Sequence, residues 1–580
     1  MLAFQSILVF IVALTLSFIA IPIVRKVALI YGVLDYPDTR RVNIRPVPRI
    51  GGVGIVLSFL ITSLLWSFDS ELLTIFLGSI VIFIVGLFDD FKSLSPRIKL
   101  FIQIACATSV VINTELMLTQ FDITSTVSVP LNGFFGTVLP VLIIVGAINA
   151  INMIDGLDGL AGGIVLIGIS LLSLVYFLKH HDYFLILYFS IPIVGAILGF
   201  LRYNTYPASI FMGDGGSNWL GYMAGVLLVI VLGDFVMFNE KSQLLLFRTP
   251  HASQSYAPLI SVLMCFSIPV MDAAAVILSR LFEGKNPMHA DKRHLHHTLL
   301  NYGFSHSESV IVVYFLSLAF GVVGIAPIAF PGRSFEWLPW IGFGGLVSFF
   351  TLCSFSDGRL LRSLLRNRYI TINKKVFGRR VRIFFREWDT VNRYLLYALI
   401  LFSPVFSGVV ARELGYLSGI VAGLLLLSLL FLRSNRDDVA ESVLISVATA
   451  VLLVANNQNY MMISLEGQSY FIQTWYNAMF IVLFLSNMLY SVFTAKLKLF
   501  LITSSDFLLV TLPLLFLVVP EPWQSKYHLS TICLRCWVLF MVLRTMMKRR
   551  RLVLRKYKLL AATALTYIFL TNVFGLRILY

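Results

Sequence analysis

Residues 133–178 read GFFGTVLPVLIIVGAINAINMIDGLDGLAGGIVLIGISLLSLVYFL. Two apolar runs, 133–152 and 159–178, flank a polar stretch, Asn149-Ala-Ile-Asn152-Met-Ile-Asp155-Gly-Leu-Asp158-Gly-Leu160. Each run is long enough to cross roughly 30 Å of hydrocarbon as a helix. Only a helix or a closed barrel satisfies backbone N–H and C=O groups there. The pair therefore reads as two membrane helices with a polar motif held at one surface between them. Acidic residues at such a position are costly and by default mark function. Alone, Asp155 and Asp158 would read equally as helix caps beside Gly156 and Gly159.

The same pattern recurs in both directions. The chain has 580 residues, 58% hydrophobic and only 13% charged. A soluble protein of that composition would expose too much apolar surface. The expected fold class is an all-α integral membrane protein, a polytopic helical bundle of about eighteen transmembrane helices. The first eleven spans lie near 4–24, 51–67, 72–88, 100–119, 133–152, 159–178, 183–200, 216–233, 257–282, 308–330 and 337–356. A basic segment, Arg359 to Arg393, follows, and about seven further apolar runs occupy 394–580. This predicts an eleven-span domain at 1–356, a basic cytoplasmic linker at 357–393 and an additional membrane domain at 394–580 of unassigned function. No basic residue precedes the first apolar run, so it reads as a retained span, not a cleavable signal.

The net charge is +16. The basic residues sit in short loops between spans, which fits the positive-inside rule and argues against a nucleic-acid partner. Placing most of the 45 Lys and Arg on the inner side requires a periplasmic N-terminus. Cys533 and Cys536 form a CxxC inside an apolar run and read as small apolar residues, not a redox or metal pair.

In that orientation five polar segments fall on the inner side. They are Asp35 to Gly52, Asp89-Asp90 to Lys99, Asn149 to Leu160, Asn204 with Phe211 to Ser217, and His289 to His297. Segments far apart in sequence but at one depth can build one site. Asp89, Asp90, Asp155, Asp158 and Asp214 would bring up to five carboxylates together, which repel unless a cation sits among them. A hard divalent cation with oxygen ligands answers that repulsion. Lys99, Arg293, His294, His296 and His297 suit phosphates. Gly213-Asp-Gly-Gly-Ser before a helix offers free N–H groups to an anion. Together these spell phosphoryl transfer, in which positioning and charge neutralisation do most of the catalysis.

Residues 1–355 resemble the polyprenyl-phosphate N-acetylhexosamine-1-phosphate transferase superfamily. Asp89-Asp90 looks like its paired-aspartate motif, Asn149 to Leu160 like NAxNxxDGxDGL, Phe211 to Ser217 like FMGDxGS, and His294 to His297 like the HxHH motif of the GlcNAc-type branch. The resemblance implies transfer of N-acetylhexosamine 1-phosphate, GlcNAc-1-phosphate first, from a UDP-sugar to undecaprenyl phosphate. The products would be the lipid diphosphate sugar and UMP, and the step would initiate a cell-envelope glycan such as an O-antigen. By the same resemblance Asp214 would ligate Mg²⁺ (or Mn²⁺), helped by Asn152. Asp89 or Asp90 would act at the lipid phosphate. Asn149, Asp155, Asp158 and Asn204 would hold the nucleotide, and His294, His296, His297, Arg293 and Lys99 would face the diphosphate. The implied setting is the bacterial inner membrane among its lipids, active site facing the cytoplasm, with a homodimer as the assembly to test. Two departures stand out: Ser93 where some relatives carry an acid, and Asn43 where many carry His. The competing class is a transporter or flippase of lipid-linked sugars, whose charges would lie near the midplane. Here they lie at span ends.

Overall fold

The computed structural model describes residues 2–355 except 37–45, 67–69, 125–126, 181–184, 234, 241–242, 249–257, 285–292 and 331–334, and beyond these residues 394, 397, 412–431, 559–568 and 570. The chain divides into two compact units, one built chiefly of residues 2–369 and the other of most of the residues beyond.

In the first unit the apolar runs close their backbone hydrogen bonds as helices, as a bilayer demands. The helices are α1 (Leu2–Tyr31), α2 (Gly52–Trp66), α3 (Ser70–Phe91), α4 (Pro96–Asn113), α5 (Gly133–Ile154), α6 (Leu160–His180), α7 (Ile191–Asn204), α8 (Gly213–Leu232), α9 (Leu259–Met264), α10 (Ser267–Phe282), α11 (Leu295–Asn301), α12 (His306–Ala329) and α13 (Leu338–Phe355). Among the described residues six helices are long and apolar enough to cross a membrane: Leu8–Tyr31, Leu72–Phe91, Gly133–Ile154, Leu160–Lys179, Gly213–Leu232 and His306–Ala329. In the second unit α14 (Arg412–Phe431) and α15 (Leu559–Ile568) are described. The predicted linker and most of the predicted later spans, with the Cys533–Cys536 pair, lie outside the described residues.

The helices overrun the apolar runs where the chemistry lies. α3 continues through Asp89 and Asp90, and α4 begins at Pro96, so Arg97 and Lys99 sit in its first turn. Proline is favoured there because its missing N–H would be unpaired anyway, and Ser95 caps the end by accepting the Ile98 N–H. The predicted single span at 257–282 is two helices, broken at Cys265–Phe266, where Pro269 cannot return a hydrogen bond to the preceding turn. α7 is preceded by a π turn, Ile186–Ser190, that hands over beside Pro192. Three antiparallel hairpins depart from the all-helical expectation: β1 (Leu34–Asp35) with β2 (Val47–Pro48), β3 (Gln120–Thr124) with β4 (Val127–Pro130), and β5 (Phe235–Glu240) with β6 (Gln243–Arg248).

α8 is the axis of the bundle, with every residue from Gly215 to Leu232 buried. Its principal neighbours are α3 and α5. Gly221 and Gly225 make the close approach to α5 possible. A Cβ at 221 would stand 2.5 Å from Ile148 Cα, and one at 225 would stand 2.7 Å from Ile144 Cα. Small residues one turn apart let membrane helices pack backbone to backbone. The polar start of α8 is thereby fixed against the polar ends of α3 and α5.

Candidate active site

Asp90, at the end of α3, is a clamp on the start of α8. Its Oδ1 accepts the Asp214 N–H at 2.9 Å and its Oδ2 accepts the Gly215 N–H at 3.1 Å. Arg49 Nη2 completes the set at 2.7 Å from Asp90 Oδ1. The first N–H groups of a helix lack intrahelical partners, and a carboxylate is their best acceptor. Asp89 faces the other way. Its Oδ1 accepts the Leu94 N–H at 2.7 Å and its Oδ2 lies 2.7 Å from Lys99 Nζ. Lys99 Nζ is also 3.7 Å from Asp214 Oδ2.

The loop before α2 is stitched to the segment before α8. Phe211 N–H donates to Pro48 O at 2.7 Å, Gly51 N–H to Phe211 O at 2.8 Å and Gly52 N–H to Met212 O at 2.8 Å. Position 213 accommodates only glycine. Its φ is +77°, and a Cβ there would lie 2.1 Å from Arg49 O and 2.5 Å from Asp90 Oδ2.

These contacts form one wall of a cleft of about 280 Å³, lined among others by Arg49, Asn152, Asp155, Asp158, Asp214 and His297. Asp214 has the most open of the three clustered aspartates, its side chain 29% exposed against 8% for Asp89 and 1% for Asp90. Asn152 Nδ2 donates to Ser217 Oγ at 2.9 Å, which ties α5 to α8 beside Asp214. Burial, then the charges of Asp214, Asp90 and Asp158, push the Asp155 carboxyl up to about 7.

Asp158 and Asn204 shape the cleft's far side. Asp158 Oδ2 accepts the Ala208 N–H at 2.8 Å, and the Asp158 N–H donates to His306 Nε2 at 2.9 Å. Asn204 Oδ1 accepts the Gly159 N–H at 3.0 Å while its Nδ2 donates to Ile210 O at 2.9 Å. Asn204 thus lines the cleft while both ends of its carboxamide hold backbone.

The histidine segment is set by Asp272 of α10, which is 2% exposed. Asp272 Oδ2 accepts from His294 Nδ1 at 2.8 Å and Oδ1 accepts the Leu295 N–H at 2.7 Å. His294 stacks on His296 with ring centroids 5.7 Å apart, and His296 lies 4.3 Å from His297. His296 packs on Gly156, where a Cβ would meet its Nε2 at 2.2 Å. Burial first, then His297, His294 and His306, drive the His296 imidazole well below its ordinary range. Of the three histidines the sequence marks, only His297 lines the cleft. Arg293 pairs with Glu283, and Asn149 Nδ2 donates to Gln103 Oε1 at 2.8 Å; neither lines the cleft. His289, Asp291 and Lys292, and Asp38 to Arg45 of the first segment, lie outside the described residues.

The donor set fits a hard divalent cation. Arg49 and Lys99 face four carboxylates, those of Asp35, Asp89, Asp90 and Asp214. The Asp89 and Asp214 carboxylates come within hydrogen-bonding reach of each other. Two like charges that close call for a cation or a proton between them. Among the described residues no three His, Cys, Asp or Glu form a ready-made metal cage. Mg²⁺ would take one or two carboxylates and complete its shell with phosphate oxygens and water.

Three residues of the site escape motif reading. Arg49 stood within a Pro- and Arg-rich loop that reads as a membrane anchor. Asp272 carried a usable signal, a lone acid inside an apolar run. His306 follows the histidine motif with nothing in its spacing to mark it.

A helical membrane bundle with carboxylates, a lysine and an arginine around a cleft at its helix ends has the make-up of a membrane-embedded phosphotransferase. Residues 72–232 match the family model described as glycosyl transferase family 4. The chain is 33% identical over 325 residues, 55% of its own length and 84% of the relative's, to a "Probable undecaprenyl-phosphate N-acetylglucosaminyl 1-phosphate transferase" of Bacillus subtilis (strain 168). It is 30% identical over 332 residues, 53% of this chain and 78% of the relative, to a decaprenyl-phosphate N-acetylglucosaminephosphotransferase of Mycolicibacterium smegmatis. An undecaprenyl-phosphate alpha-N-acetylglucosaminyl 1-phosphate transferase of Pasteurella multocida is 28% identical over 354 residues, 60% of this chain and 92% of the relative. The chain belongs to glycosyl transferase family 4.

Proposed function

We propose that this enzyme transfers N-acetylglucosamine 1-phosphate from UDP-N-acetylglucosamine to undecaprenyl phosphate, at the cytoplasmic face of a bacterial inner membrane. The observation that carries the reading is the meeting of Asp89, Asp214 and Lys99 beside a polar cleft at the helix ends. The names of the relatives support the acceptor and the transferred group of this reading: each contains a polyprenyl phosphate and the transfer of N-acetylglucosamine phosphate. In this reading the N-terminus is periplasmic, the bundle has about eighteen spans, and residues 394–580 form a separate membrane domain.

A lipid phosphate oxygen attacks the β-phosphorus of the donor. The bond from that phosphorus to the bridging oxygen breaks, and UMP leaves with the bridging oxygen. Asp214, with Asp89 and Asn152 beside it, would hold Mg²⁺ or Mn²⁺, which supplies charge neutralisation to the diphosphate. Lys99, with its Nζ 2.7 Å from Asp89 Oδ2, aligns that carboxylate. His297, which lines the same cleft, faces the diphosphate, and Asp155 and Asp158 border the nucleotide. Asp90, with both oxygens committed to α8, positions Asp214 and does not take a proton from the lipid.

A donor panel tests the proposal. Purified protein, undecaprenyl phosphate and Mg²⁺ are incubated with several UDP-sugars, with and without excess EDTA, and lipid and nucleotide products are resolved. UMP and a lipid diphosphate sugar are expected, with UDP-N-acetylglucosamine as the best donor and no turnover in EDTA. UDP as the sole nucleotide product would refute phosphoryl transfer.

A further inference from the structure

We propose that Arg49 grips the diphosphate of the nucleotide-sugar donor, an inference that rests on the nucleotide reading of the cleft given above. Arg49 lines the cleft, and its Nη2 bonds Asp90 at 2.7 Å. The next carboxylate oxygens, Asp35 Oδ1 at 3.8 Å from Nη1 and Asp214 Oδ1 at 3.9 Å from Nη2, lie beyond hydrogen-bond distance. A guanidinium carries five N–H donors in a rigid fork and never loses its charge. The Asp90 contact engages Nη2 alone, and the guanidinium borders the cleft beside Asp214 with further donors to offer. That carboxylate is the one most open to the cleft, so a phosphate drawn to a cation beside Asp214 arrives within reach of the same guanidinium.

The backbone around Arg49 is fixed, which makes it a built feature of the site. Pro48 O and the Gly51 N–H, on either side of it, both bond Phe211. Pro48 and Ile50 are buried on either side of the half-buried arginine. The Arg49 carbonyl sits where a Cβ at 213 would be. The segment that carries Asp214 therefore also sets the height of the guanidinium. Planar bidentate recognition of phosphate is the task for which arginine is suited and lysine is not.

The test is ligand binding by the full-length protein in detergent, with Mg²⁺ and again in EDTA, using UDP and uridine as probes. Arg49→Gln should weaken UDP binding by about 10- to 100-fold, the range expected for lost charge-assisted hydrogen bonds. Uridine binding should stay within about twofold, because uridine has no phosphate. Arg49→Lys, which keeps a positive charge opposite buried Asp90 and so guards against misfolding, should fall between wild type and Arg49→Gln for UDP and match wild type for uridine. The loss should persist in EDTA, since the contact does not pass through the cation. Equal losses for uridine and UDP in both variants would make Arg49 a scaffold for Asp90 and overturn the proposal. Unchanged UDP affinity in Arg49→Gln would overturn it as well, while leaving the transferase reading intact. A wild-type protein that binds neither probe would sink both.

Discussion

Asp90 holds Asp214 by its backbone and not by its carboxylate: Asp90 Oδ1 accepts the Asp214 N–H at 2.9 Å, and its Oδ2 accepts the next N–H, of Gly215, at 3.1 Å. The two aspartates thus divide structure from chemistry. Asp90→Asn replaces one accepting oxygen by a donor that faces an N–H. It should lower stability by about 1–3 kcal/mol, the cost of a broken buried hydrogen bond to a charged group, and lower the rate as α8 shifts. Asp214→Asn should unfold at the wild-type temperature while kcat falls about 10²–10³-fold, the usual worth of one charge-positioning group. Thermal unfolding in detergent beside single-donor rates separates the two. Comparable destabilisation by both substitutions would deny the division.

Gly213→Ala should behave as a structural lesion with a catalytic consequence. Left-handed backbone costs a residue with a Cβ about 1–2 kcal/mol. The clash with Arg49 O, a backbone atom held by the Pro48–Phe211 stitching, adds to it. The expected outcome is a lower unfolding temperature together with a loss of donor affinity, since the Arg49 loop is what must move. A variant with wild-type unfolding and wild-type KM for the donor would show that the loop yields freely.

His296 gives the fold a pH dependence of known sign. Its folded-state pKa lies well below the ordinary value of 6.5 because burial, and then His297, His294 and His306, oppose its charge. Below about pH 6.5 the unfolded chain therefore binds a proton at this residue that the folded chain refuses. Stability attributable to His296 is full above that pH and drains away as pH falls toward the depressed folded value. Wild-type protein should lose unfolding temperature between about pH 7 and pH 5 more steeply than His296→Asn, which cannot titrate. Parallel curves would assign the acid sensitivity to other groups.

Arg293 and His297 are neighbours in sequence and opposites in placement. His297 borders the cleft, whereas Arg293 reaches Glu283 at the end of α10. His297→Ala should cost about 10²-fold or more in kcat, in the range for a positioned acid or base. Arg293→Ala should cost no more than a few-fold, since an exposed ion pair is worth roughly 0–1 kcal/mol. Rates for the two variants under saturating donor decide this. A collapse of activity in Arg293→Ala would bring that arginine into the cleft during turnover.

What the sequence revealed of this site followed from what a bilayer penalises. Asp89, Asp90, Asp155 and Asp214 were conspicuous because a carboxylate beside an apolar run needs a reason, and the structure gathers them around one cleft wall. Helix ends were harder to read. Asp89 and Lys99 continue α3 and α4 past the apolar runs because N–H satisfaction and the Ser95–Pro96 start extend a helix where hydropathy ends. Arg49 was hidden by its company, because one arginine among several in an inner loop looks like a charge anchor until tertiary contacts select it. The hairpin of Leu34–Asp35 with Val47–Pro48 has two-residue strands, too short for an alternating pattern, and the six residues Phe235–Glu240 do not alternate apolar with polar.

The last prediction concerns the extent of the catalytic unit: residues 1–356 should transfer sugar phosphate without residues 357–580. Every residue placed at or beside the cleft lies between Asp35 and His306. The hydrogen bonds that fix these residues run among α3, α4, α5, α7, α8 and α12 and the segments joining them. A relative that the chain matches over 84% of the relative's length engages only 55% of this chain, so the shared chemistry needs little more than half of it. The basic run from Arg359 to Arg393 would serve as a cytoplasmic linker, drawn to anionic lipid heads by roughly 1 kcal/mol per basic residue near the surface. Cutting there leaves α12 and α13 whole. The hazard is packing, because later spans that cover a helix face would stabilise the bundle without touching its chemistry. Folding and catalysis must therefore be measured separately. The fragment is expressed, checked for a single monodisperse species and for uridine binding, and then assayed for lipid diphosphate sugar. A fragment that is monodisperse and binds uridine yet forms no lipid product would show that residues beyond 356 help build the acceptor side of the site, and the two-domain reading would fail.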